Sequence, residues 1–151
     1  MREMIEIIAR GVCVRAGKIL LCHSKGACNT YLPGGHVELR EKAKESLRRE
    51  IEEELGANVT VGRFLGAVEH TFLQKGEWHC EINLVFELDV HGIDPSSAPD
   101  SREDYIEFLW TSLSEIQNSK LEPSILCKLL TSWLEHKEGP ERWATTYNSD
   151  L

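Results

Sequence analysis

At the centre of this chain lies a helix that cannot bury its apolar stripe without burying a carboxylate as well. Residues Glu41 to Leu55, between Gly35 and Gly56, contain neither proline nor glycine. Within them Ala43, Leu47, Ile51 and Leu55 recur every fourth residue, the spacing of one apolar helix face. At about 100° of rotation per residue, Glu54 falls between Ala43 and Leu47 on that face, Glu50 lies at its edge and Glu53 points well outside it. The three are spaced i, i+3 and i+4 and are neighbours on one side of the helix. A carboxylate placed like Glu54 loses hydration and needs a charged partner. Three together repel one another unless something cationic sits among them.

The surroundings say what that cation is. Seen alone, the run Glu50 to Glu54 reads as a solvated helix face. Pro33-Gly34-Gly35 forces a turn that faces the carboxylates, and residues 36–40 lead from it into the helix. Gly56 suits a left-handed C-cap. Magnesium prefers hard oxygen ligands, usually one or two carboxylates with water and substrate phosphate, and Glu50, Glu53 and Glu54 can supply such oxygens. This context favours a metal site over a bare charged surface.

The order Gly35, five residues, Glu41, seven residues, Arg49-Glu50-Ile51, one residue, Glu53-Glu54, one residue, Gly56 resembles the signature box of the Nudix hydrolases. Two positions depart from the family pattern. Ala57 stands where a bulky aliphatic residue usually closes the box, and Arg40 where glycine commonly precedes the first glutamate. If that turn needs a left-handed backbone, Arg40 is strained by about 1 kcal/mol or more. The resemblance implies an α/β/α sandwich with a mixed sheet and a loop-helix-loop catalytic motif. It implies Mg2+ as cofactor, with Mn2+ as a substitute, held by the Gly35 carbonyl with Glu50, Glu53 and Glu54. It also implies that Arg49 and Glu41 pair to brace loop against helix, and that a further carboxylate comes from a loop before a late strand, where Glu103 and Asp104 stand.

The 151 residues suit one domain with a sizeable core, expected over residues 1–137, with an unassigned tail at 138–151. A formal charge of −8 argues against nucleic acid or an anionic membrane as the main partner, because both reward clustered Lys and Arg. The five cysteines, Cys13, Cys22, Cys28, Cys80 and Cys127, include no Cys-x-x-Cys pair and read as reduced, mostly packed thiols. Arg2, Glu3 and Glu6 do not suit a signal peptide, and no run reaches the roughly 18 apolar residues of a membrane span, so a cytoplasmic protein is expected.

Residues 5–14 and 18–23 read as a hairpin around Ala16-Gly17. Val59 to Phe72 reads as one long or broken strand. From Cys80 to Val90 the alternation suggests a half-buried strand with Val85 the one apolar residue on its outer face. A loop at 91–102, a last strand at 105–110 and a second helix at 122–136 follow, the helix turning Leu126, Leu129, Leu130 and Trp133 inward.

Lys25 and His23, at the end of the second strand, are candidates for phosphate contact, with surface exposure as the competing reading. Tyr31, Phe72 and Trp78 offer faces that stack on a base or pack elsewhere. His70 and His79-Cys80 match no familiar zinc spacing. The leading expectation is metal-dependent hydrolysis of a diphosphate link in a small nucleotide, a nucleoside diphosphate joined to another moiety. Its competitor is a catalytically silent nucleotide-binding module. The intact set of box carboxylates favours the enzyme. Strand or helix surfaces are compatible with a homodimer, although no stripe identifies one.

Overall fold

The computed structural model describes residues 3–136 and 141–147. The domain boundary expected at residue 137 lies outside the described residues. In chain order the elements are β1 (Ile5–Val12), β2 (Val14–Arg15), β3 (Lys18–Ser24), β4 (Gly34–His36), α1 (Ala43–Leu55), β5 (Val59–Gln74) and β6 (Glu77–Val90). Then come β7 (Ile106–Ser112), a 3-10 helix (Leu113–Asn118), α2 (Leu126–Glu135) and β8 (Trp143–Thr145). A five-stranded sheet runs in the order β4-β1-β6-β5-β8 and a three-stranded sheet in the order β2-β3-β7. The larger sheet is mixed, since β1 runs parallel to β6 while β5 and β6 form an antiparallel pair.

Alternate residues of a strand face opposite ways, so one sheet feeds two cores. Phe86 and Leu88 pack with Leu47 and Ile51 of α1, whereas Val85 packs with Leu130 and Trp133 of α2. The result is the expected sandwich, with one helix over each face. No helix among the described residues is long and apolar enough to cross a membrane.

Several local expectations are corrected. The first hairpin does not form as a whole, because the chain breaks at Cys13 and divides between the sheets. Val14–Arg15 turns back onto β3, while β1 pairs with β6 and β4. The principal partner of β3 is β7, along Lys18–Ser24 and Ile106–Ser112. Strand β6 is central and covered on both faces, so Asn83 and Val85 are as buried as the residues on its other face. Helix α1 begins at Ala43 instead of Glu41, and α2 at Leu126 instead of Glu122, after Pro123. Strand β7 is not the last. Trp143–Thr145, where the sequence suggested no element, adds an edge strand parallel to Ala67–Glu69 of β5.

Candidate active site

The turn before α1 is shaped by close approach. Gly34 has φ +143°, and a Cβ there would lie 1.9 Å from the Ala9 carbonyl oxygen. A Cβ on Gly35 would lie 2.4 Å from Cδ of Glu50, so the missing side chain is what lets the helix carboxylate reach the turn. Ser46 Oγ donates to the His36 carbonyl at 3.0 Å, tying α1 to the same turn. At the other end Gly56 takes φ +64° and its N–H closes on Glu52 O. The Arg102 N–H donates to Glu54 O at 2.7 Å, which draws the loop before β7 onto the end of α1.

Arg49 organises the charges. Its Nε and Nη2 donate to both oxygens of Glu41 at 2.8 and 3.0 Å, the two-pronged pairing expected of a guanidinium and a carboxylate. Its Nη2 also donates to the His36 carbonyl at 3.2 Å. The Arg49 hydrogen bonds, with help from the Glu38 N–H, hold Glu41 down at about 2. Nη1 reaches Glu50 at 3.0 Å and Glu53 at 3.4 Å.

Glu50, Glu53 and Glu54 differ as their helix angles foretell. Glu54 is 7 % exposed, Glu50 is half-buried and the Glu53 side chain is 53 % exposed. Burial pushes the Glu54 carboxyl up to about 8, and the nearby Glu50 charge adds to the effect. Burial likewise raises Glu50, against the pull of Arg49. The Oε2 atom of Glu54 is buried and has no hydrogen-bond partner.

A divalent cation fits these residues by the chemistry of the donors: hard carboxylate oxygens, one of them orphaned, beside a turn whose glycine leaves room. Among the described residues no three acidic, histidine or cysteine side chains are already gathered on one point. Arg49 accounts for part of this, because it engages Glu50 and Glu53. An arriving cation competes with it for both.

Beside this cluster opens a cleft of about 480 Å³ lined by Arg10, Tyr31, His70, Phe72, Glu81 and Asn83, among others. Arg10 joins cleft and carboxylates. It is paired with Gly34 across β1 and β4, its charge offsets part of the rise at Glu54, and its guanidinium lies 5.2 Å from the Tyr31 ring centroid. Phe72 lines the cleft and stacks on both His70 and His79.

Of the other candidates, Lys25, His23 and Trp78 lie elsewhere. Lys25 is exposed in the turn after β3, outside the cleft lining. His23 faces Glu107 at 3.2 Å. Trp78 is 66 % exposed near the β5–β6 turn. Glu103 is partly buried, and its charge helps raise Glu54, whereas Asp104 is exposed.

A family model described as the NUDIX domain matches residues 6–129. The chain belongs to the NUDIX domain family. Among curated proteins this NUDIX domain resembles a CTP pyrophosphohydrolase of Escherichia coli K12, at 35 % identity over 85 residues. That match takes in 51 % of this chain and 62 % of the relative, less than two thirds of its length. Among solved structures it resembles a MutT NUDIX hydrolase from Burkholderia pseudomallei, with 31 % identity, 74 % and 86 % of the two chains covered and a TM-score of 0.60. A MutT protein from Methanosarcina mazei Go1 shares the fold at 23 % identity and a TM-score of 0.69, over 91 % of this chain and 99 % of the other.

Two residues that shape this candidate site were not singled out from the sequence. Arg10 is the one cation in the run Ile5–Val12, and a lone charge in an apolar strand was its available signal. Thr146, beyond the family match, binds His70 Nδ1 through its Oγ1 at 2.8 Å and so fixes one wall of the cleft. Nothing local marks it, since the contact spans the whole of the second half of the chain.

Proposed function

We propose that this NUDIX domain is a divalent-metal-dependent pyrophosphohydrolase acting on a nucleoside diphosphate linked to another moiety. The observation that carries the reading is the buried, unpartnered oxygen of Glu54 beside Glu50 and Gly35. A carboxylate in that position destabilises the empty protein, and a bound cation would offset that cost. The name of the curated relative, a CTP pyrophosphohydrolase, supports the same chemistry.

In this reading Gly35, Glu50, Glu53 and Glu54 hold Mg2+ or Mn2+, with Glu103 closing the site from the loop before β7. The bound ion supplies neutralisation of phosphate charge and acidification of a water. Arg49 and Glu41 brace the turn against α1 and keep Glu50 aimed at Gly35. Without a cation Glu54 keeps its proton at neutral pH, because its carboxyl titrates near 8. Arg10, at the mouth of the cleft, faces the phosphates and orients them toward Glu54, while the cleft excludes water from the base. A cytoplasmic setting suits the reduced thiols.

A panel of nucleoside triphosphates, ADP-ribose, dinucleoside polyphosphates and nucleotide sugars, assayed with magnesium and with chelator, tests this. Glu53→Gln and Glu54→Gln each lower turnover by at least about a hundredfold, the scale of losing a charge-stabilising group, with the fold retained by circular dichroism. Near-normal turnover in both variants refutes the assignment. Tight nucleotide binding with no product after long incubation identifies a silent sensor instead.

A further inference from the structure

The cleft is electrically two-ended. Arg10 stands at the end next to Gly34 and Glu54, while Glu81 and Glu122 also line it. Among the described residues neither of these glutamates takes part in an ion pair. A basic end suits phosphate, and an end of free carboxylates suits a group that donates hydrogen bonds.

Glu81 is held in a defined pose. Asn83, 1 % exposed, donates from Nδ2 to Glu81 Oε2 at 3.2 Å. His70, directly opposite Glu81 across β5 and β6, is engaged through Nδ1 with Thr146 and does not spend that nitrogen on the carboxylate. Burial depresses the His70 imidazole, against the opposing pull of Glu81 and Glu122. Oε1 of Glu81 is left to accept from whatever enters.

We propose that this cleft selects a nucleobase bearing an amino group over its keto counterpart, and that Glu81 makes the selection. The proposal rests on the reading that the cleft takes the base of a nucleotide whose phosphates lie at Arg10. An ionised carboxylate is an acceptor only. Cytosine and adenine offer it an N–H donor where uracil and hypoxanthine put a carbonyl oxygen, which repels it and leaves both groups unpaired. Sites built to hydrogen-bond a substrate N–H reject the analogue that lacks it far more strongly than apolar pockets reject a missing methylene.

The test is equilibrium binding in chelator, which needs no turnover, with CMP against UMP and AMP against IMP. The unmutated protein binds the amino member of at least one pair about tenfold or more tightly. Glu81→Gln, which turns one acceptor oxygen into a donor, narrows that ratio to about threefold or less and does so by weakening the amino member. Should the variant fail to fold, the amino protons of 15N-labelled CMP bound to the unmutated protein give the answer, moving downfield if they meet a carboxylate. Equal affinities in the unmutated protein, a ratio unchanged in Glu81→Gln, unmoved amino protons or no binding of any of the four overturns the proposal. A protein that discriminates among these monophosphates yet releases no product from the matching triphosphates with magnesium removes the hydrolase reading and leaves this one standing, and one that binds the monophosphates without discrimination yet hydrolyses the triphosphates does the reverse.

Discussion

Glu54→Gln, studied without metal, turns the buried carboxylate into a stability measurement. In the unfolded chain the carboxyl titrates near 4.5, and in the folded protein near 8. The folded value is raised, so ionisation is disfavoured by folding. No cost exists below the unfolded value, the cost grows with pH between the two, and it is complete above the folded one. At about 1.4 kcal/mol per pH unit, the wild type loses about 1 kcal/mol at pH 5, roughly 3 at pH 7 and nearly 5 at pH 9. The residue is 7 % exposed, so little solvent screens it. A glutamine keeps the shape of the protonated acid and carries none of this cost. Urea denaturation in EDTA is therefore expected to show Glu54→Gln close to wild type at pH 5 and several kcal/mol more stable at pH 9. Magnesium should narrow the gap by stabilising the wild type alone. A stability difference that stays constant from pH 5 to 9 refutes the burial argument.

Two further substitutions test the frame around the site. Arg40 has φ +67°, and Arg40→Gly should raise the urea midpoint by the equivalent of about 1 kcal/mol; a lower midpoint contradicts the strain. A Cβ on Gly66 would lie 2.4 Å from Cζ2 of Trp133, so Gly66→Ala should cost about 1–3 kcal/mol by overpacking, read as a fall in thermal midpoint.

The site was legible where its parts are close in sequence. Angles around one helix sorted Glu54, Glu50 and Glu53 by burial, and the turn residue Arg40 does take the left-handed backbone that glycine favours. What escaped depends on sheet order. Arg10 meets Gly34 because β1 lies between β4 and β6, and that follows from the break at Cys13, which hydrophobic alternation does not mark. Asn83 read as an outward residue because alternation separates two faces but cannot say that both are covered. The grouping of Glu81 and His70 with Thr146 needs a strand from beyond residue 140, whose three residues are too few for a periodic pattern.

That late strand also bears on where this protein can be shortened. A chain cut at residue 129 would keep every position the family model matches and yet lose Trp133, which is fully buried and whose indole N–H donates to Glu141 O at 3.0 Å. It would also lose Arg142, bonded to Leu65 O at 2.7 Å, and the hydroxyl that anchors His70. The stretch that the family model matches is thus shorter than the stretch that must be synthesised for the second core to close, and trimming to it would yield a fragment with one face of its sheet bared to water.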